Sequence, residues 1–197
     1  MKVSFTTMAT PDVSGIEAIR MARTFGYQGI DLRCSPEKGE ITVDSGPREI
    51  AELRRAMDSE GIDLAGLHCY NETGGDNPEA WTTMEESLLR NLDTGAQLGT
   101  PTIRIFVDVP RTTETSREYI LKTVDVLHRV LDRDQSGCAM LIQNHKMHAN
   151  ALHSARIINT VNSPRLALAF SPEHCVEEAE DLEQVYSEVK PITRQLY

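Results

Sequence analysis
Short runs rich in Val, Ile and Leu alternate with longer segments of helical period along the whole chain, and no other feature restricts the fold as much. The runs cover Val3 to Thr6, Gly29 to Leu32, Leu64 to Cys69, Thr102 to Val107, Ala139 to Gln143, Leu166 to Phe170 and Ile192 to Tyr197, and read as seven strands. Helical segments lie between them at about Ser14 to Phe25, Pro47 to Ser59, Pro78 to Leu98, Ser116 to Arg133, Ala151 to Val161 and Glu178 to Val189. Ser14, with Glu17 three residues on, has the form of a capping box, and Pro47 and Pro78 suit first helical turns, where a missing N–H costs nothing. Gly26, Gly61 and Gly99 follow three of the helices where a left-handed residue is wanted.

Repeated strand and helix units joined by right-handed crossovers build either an open doubly wound sheet or a barrel. An open nucleotide-binding sheet favours a glycine-rich turn after its first strand, and Thr6-Thr7-Met8-Ala9-Thr10-Pro11 contains no glycine. The expected fold is therefore α/β, a parallel (β/α)8-type TIM barrel apparently truncated after the seventh strand. Residues 1–197 form one barrel domain in this reading, without the last helix and strand, and 197 residues suffice for one sizeable core. A truncated chain is the first explanation of the missing unit, ahead of a partner subunit that closes the gap or a shortened barrel.

Thirty acidic against twenty basic residues give a formal net charge of -10, which opposes a nucleic-acid partner. Cys34, Cys69, Cys138 and Cys175 form no CxxC pair, which suits reduced thiols and a cytoplasmic location. The N-terminus carries no secretion-signal pattern, and no run approaches the roughly 20 apolar residues of a membrane span. Neither secretion nor a membrane is expected.

In a barrel the chemistry sits at the C-terminal ends of the strands. The polar residues there are Asp31 and Arg33, His68, Arg104 and Asp108, Gln143, Asn144 and His145, and Ser171, Glu173 and His174. Each has a plainer reading: Asp31 or Arg104 can form ion pairs inside the mouth, and a lone histidine is usually structural. His128 and His153 fall in helices, and His148 follows the fifth strand and reads equally as a surface loop residue. The thiols at strand ends read as small buried hydrophobes, not nucleophiles.

Four segments, Phe25 to Arg33, Leu98 to Phe106, Leu141 to His145 and Leu166 to His174, together resemble the xylose isomerase-like barrels, which include sugar epimerases, sugar phosphate isomerases and inosose dehydratases. The resemblance implies a site for a divalent metal such as Mn²⁺ or Mg²⁺, held by Glu, Asp, His and Glu at the ends of strands five to eight. Such an ion polarises a carbonyl while flanking groups move a proton. Carried over residue by residue, the first two ligand positions hold Gln143 and Ser171, Tyr197 stands near the third, and the fourth lies beyond the chain. Neutral oxygens attract a divalent ion weakly, so a tightly bound metal is not expected.

The resemblance implies a sugar or sugar-phosphate isomerase or epimerase, with Glu173 and His68 as catalytic candidates. His174, Arg104, His145, Asp31 and Arg33 are the substrate-binding candidates, and homo-oligomerisation stays open. The alternative is a non-catalytic carbohydrate-binding or regulatory relative whose metal site has degenerated. DNA repair at abasic sites on a related zinc barrel is disfavoured by the net charge and the scattered histidines.

Overall fold
The computed structural model describes residues 2–37, 39–110 and 113–197. Among the described residues seven strands alternate with helices, and strand order follows chain order from first to last, which is a TIM-barrel-type α/β arrangement. By its internal contacts the chain divides into two compact units.

The first unit comprises Met1–Tyr70, Arg90–Ile103 and Ser136–Cys138. It holds β1 (Ser4–Thr6), α1 (Gly15–Thr24), β2 (Gly29–Cys34), α2 (Pro47–Glu60) and β3 (Asp63–Cys69). Ser14 caps α1 by accepting the Glu17 N–H at 3.3 Å, and Gly26 follows at φ 81°, as the sequence predicts. Pro47 opens α2, with the Glu49 carboxylate accepting the Gly46 N–H at 3.0 Å, and Gly61 ends it in the left-handed region.

The parallel pairing of β1, β2 and β3 aligns Thr6 with Asp31, Asp31 with Gly66, and Arg33 with His68. Partners in a parallel register share a face, so Ser4, Thr6, Asp31, Arg33 and His68 form one polar face. Ile30, Leu32 and Leu67 lie on the other, fully buried. A register shift between Ile30 and Asp31 brings Gly66 opposite Asp31. A Cβ at Gly66 would stand 2.7 Å from Asp31 Oδ1, so glycine makes the space that the carboxylate fills.

The second unit comprises Asn71–Leu89, Arg104–Gln135 and Ala139–Tyr197. It holds α4 (Thr113–Arg133), β5 (Ala139–Gln143), α5 (Ala151–Val161), β6 (Leu166–Phe170), α6 (Pro172–Glu177), α7 (Leu182–Val189) and β7 (Thr193–Leu196). The remaining elements, α3 (Pro78–Leu98) and β4 (Thr102–Ile105), contribute residues to both units. Asn150 caps α5 by accepting the His153 N–H at 2.8 Å. Leu141, Ala167 and Ala169 share one face of β5 and β6, with Tyr197 packed against them.

Four expectations need correction. The fourth strand stops at Ile105, two residues early, because both backbone groups of Phe106 bond to the side chain of Asn71. The last helix begins at Leu182 and not at Glu178, because Ala179 at φ 56° interrupts the chain and Asp181 caps α7 by accepting the Gln184 N–H at 3.0 Å, and a short helix that the sequence reading lacked, α6, precedes it from Pro172. The seventh strand begins at Thr193, since Lys190–Ile192 forms a 3-10 turn. The fourth long helix begins at Thr113, and Arg111 and Thr112 lie outside the described residues.

Candidate functional site
In the first unit the polar face of the strands is a closed network. Asp31 accepts a hydrogen bond from Ser4 Oγ, and its other oxygen lies 3.6 Å from His68 Nε2. His68 Nδ1 is 3.5 Å from Thr6 Oγ1. Asp31 and His68 are 2% and 1% exposed, so their polarity is spent inside the protein.

Arg33 pairs with a residue the sequence reading did not single out. The segment after β2 folds back, with Ser35 N–H donating to Ile41 C=O at 3.1 Å and Ile41 N–H to Arg33 C=O at 3.3 Å. This sets Glu40 against Arg33. Glu40 Oε1 accepts from Arg33 Nη2 at 2.8 Å and Nε at 3.3 Å, while Oε2 accepts from the Arg33 N–H at 2.8 Å and Thr7 Oγ at 2.6 Å. The structure thus brings Asp31, Arg33 and His68 together as a buried electrostatic frame.

The second unit holds the other candidates, and most of them touch. Arg104 lies over the Phe106 ring at 4.2 Å. The same ring stacks on His148 at 4.4 Å and meets His145 edge-on at 5.5 Å. His145 lies 5.3 Å from His148 and 4.2 Å from His174, between ring centres. A cation, a phenyl ring and three imidazoles therefore form one cluster at the ends of β4, β5 and β6.

Each imidazole in this cluster is held through its Nδ1. His174 Nδ1 is 2.9 Å from Glu177 Oε2, and His145 Nδ1 accepts the Met147 N–H at 3.2 Å. An Nδ1 that accepts leaves the proton on Nε2, so neutral His145 presents an N–H donor. Burial, followed by the charges of His174, His148 and Arg104, pushes the His145 pKa from 6.5 down to about 4. Glu173 is the outlier: on the first turn of α6 its side chain is 66% exposed, with Oε1 3.9 Å from His174 Nε2.

The depressed value has a sign that a pH series can check. The neutral form is the one the fold favours, so His145 contributes stability above about pH 6.5, and that contribution is lost as pH falls from 6.5 through about 4. His145→Gln should lose less stability than the wild type over this window. Melting curves at pH 7, 5.5 and 4.5 test it, and equal losses in the two proteins would refute it.

Gln143 and Ser171, which the resemblance sets at metal-ligand positions, bond each other. Gln143 Nε2 donates to Ser171 Oγ at 2.8 Å, joining the ends of β5 and β6. Asn144 seats Ser171: its Oδ1 accepts the Ser171 N–H at 2.7 Å and its Nδ2 donates to the Ser171 C=O at 2.9 Å. An amide donor and a hydroxyl supply no anionic ligand, and Tyr197 near the third position packs on Leu141, Ala167 and Ala169. Among the described residues no three His, Cys, Asp or Glu side chains gather as a metal-holding group. These residues do not fit the family's divalent ion.

The four cysteines are buried thiols, and burial followed by a hydrogen bond with Glu180 pushes Cys175 up to about 12, which suits a packing role. No helix among the described residues is long and apolar enough to cross a membrane.

Comparison with solved structures shows the same barrel fold in several proteins. A D-psicose 3-epimerase from Clostridium cellulolyticum H10, solved with D-tagatose, superposes with a TM-score of 0.81 at 13% identity, covering 100% of this chain and 72% of that one. A 3-keto-D-glucoside 4-epimerase from E. coli gives 0.74 at 15% identity, covering 100% and 78%. A probable 3-DHS dehydratase from Bacillus anthracis gives 0.74 at 14% identity, covering 100% and 72%. At these identities the likeness is one of fold. No match was found among curated proteins. The family described as xylose isomerase-like TIM barrel matches residues 19–195, nearly the whole chain, so the chain belongs to that family.

Proposed function
We propose that this protein is a sugar or sugar-phosphate isomerase or epimerase that moves a proton at a carbon next to the substrate's carbonyl, without the divalent ion implied by the family resemblance. The observation that carries this reading is the cluster of Arg104, Phe106, His145, His148 and His174. It combines a cation and a neutral N–H donor, suited to a carbonyl oxygen that gains charge, with imidazoles suited to proton transfer. Arg104, His145 and His174 are the proposed sugar contacts. Asp31 and Arg33 hold the first unit together, and the burial of His68 assigns it to the same task. Glu173, at the edge of the cluster, is proposed to guide substrate entry instead of reacting with it.

A second reading rests on the Gln143–Ser171 hydrogen bond, which fills the metal-ligand positions with a strand-to-strand link. Under it the protein binds a carbohydrate and does no chemistry. One experiment separates the two. The purified protein is incubated in D2O with EDTA and D-fructose, D-tagatose or D-allulose, the sugars named with its structural neighbours. Deuterium entering a C–H bond of the sugar supports the isomerase reading. Calorimetric binding without exchange supports the second reading and overturns the first.

A further inference from the structure
The proposed reaction needs a base, and the two ligand positions that would supply carboxylates hold Gln143 and Ser171. Resting on the isomerase reading, we propose that His148, oriented by Asp108, is the catalytic base. The placement begins with the backbone. His145 N–H donates to Ala149 C=O at 3.0 Å, His148 N–H to His145 C=O at 2.9 Å, and Ala149 N–H to Val107 C=O at 2.8 Å. This turn fixes His148 beside the end of β4, where Phe106 stacks on its ring with an interplanar angle of 24°.

Asp108 then sets the tautomer. Its Oδ1 bonds His148 Nδ1 and its Oδ2 accepts from Thr73 Oγ1, so both carboxylate oxygens are engaged in a Thr–Asp–His line. Burial pushes the Asp108 carboxyl up, but the bonds from His148 and Thr73 outweigh it and hold the carboxyl below its ordinary value, which keeps it anionic. An anion at Nδ1 holds the ring proton there and leaves the Nε2 lone pair to react.

His148 also lines a cavity of about 310 Å³ with Gly74, Asp108, Tyr119 and Lys146, at the small end of the roughly 300–1,000 Å³ usual for ligand pockets. Its other titratable walls are committed. Tyr119 donates to Asp76 at 2.6 Å, which pushes its pKa up to about 12, and Lys146 is paired with Glu177 at 3.3 Å. Asp76 beside Tyr119, with Asp108 in the wall, makes the cavity unsuited to a phosphate and suited to a neutral keto sugar.

The step balances without any oxidant. His148 Nε2 takes the proton from a hydroxyl-bearing carbon beside the carbonyl. The C–H electron pair becomes the C=C bond of an enediolate, and the carbonyl π pair moves to its oxygen. One proton passes between the two oxygens, and the imidazolium returns its proton to the former carbonyl carbon as the second oxygen forms the new C=O.

The test is deuterium exchange in D2O with D-fructose, D-tagatose and D-allulose, comparing wild type, His148→Ala and Asp108→Asn. The expected result is exchange by the wild type, an exchange rate lowered about 10²–10⁴-fold in His148→Ala with sugar Kd changed by less than about threefold, and partial restoration by added imidazole. Asp108→Asn should lower exchange as well, by disturbing the tautomer. Undiminished exchange in His148→Ala, or a loss that imidazole leaves unchanged, overturns the base while the isomerase reading stands. No exchange by the wild type with any of the three sugars overturns both.

Discussion

Glu40→Ala should destabilise the protein by about 3–5 kcal/mol, the usual cost of leaving one partner of a buried ion pair alone. The Arg33 and Glu40 side chains are 8% and 3% exposed, so the guanidinium left behind has little water to turn to. Alanine would also remove the shorter of two acceptors from the Arg33 N–H and from the Thr7 hydroxyl, leaving Thr7 Oγ1 at 3.1 Å and Asp31 C=O at 3.4 Å. For a chain of this size the loss corresponds to a fall in Tm on the order of 10 °C. Glu40→Gln retains an oxygen for one of these donors and should cost less. Adding Arg33→Met to Glu40→Ala should recover part of the loss, because the unpaired charge goes with it. Urea unfolding of the four proteins measures this, and a Glu40→Ala variant within about 1 kcal/mol of wild type would mean that the pair is not the anchor of the segment after β2.

Why this pair was hidden in the sequence while the strands were plain follows from where the information lies. β5 and β6 are uninterrupted apolar runs, Ala139–Gln143 and Leu166–Phe170, and the sequence bounds them to the residue; α3 and α5 are bounded as well. Periodicity reports burial of whole faces: β5 and β6 are nearly buried along their length, and α3 and α5 each keep one face buried from end to end. It reports nothing about partner choice. Asp108 and His148 are 40 residues apart, and Arg33 finds Glu40 only because the intervening segment turns back onto β2. The strand-end rule therefore names residues that the structure brings together, His145, His174 and Arg104 among them, without saying which carboxylate pairs with an arginine and which with a histidine.

The strand ends themselves depend on a device used twice. Asn71, two residues after β3, bonds both backbone groups of Phe106 just beyond β4, with Phe106 N–H to Oδ1 at 2.9 Å and Nδ2 to Phe106 C=O at 3.0 Å. Asn144, directly after β5, does the same to Ser171 just beyond β6. Each amide continues the hydrogen bonding of the sheet for one more residue, then releases the chain into a polar loop. Asn144 is 1% exposed and Asn71 is 8% exposed. Asn144→Ala should therefore strand the buried Ser171 N–H, while the Ser171 C=O keeps the His174 N–H at 3.3 Å, for about 1–3 kcal/mol, whereas water can partly relieve Asn71→Ala. Asn144→Asp separates the two contacts, since a carboxylate still accepts the Ser171 N–H but meets the Ser171 carbonyl with a second acceptor in place of a donor. It should fall between wild type and alanine at neutral pH, and recover toward wild type at a pH low enough to protonate the new carboxyl. Denaturant melts of the three variants read these differences. If Asn144→Ala costs no more than Asn71→Ala, burial does not set the value of the clamp, and the end of β6 must be held by Gln143 and the α6 turn instead.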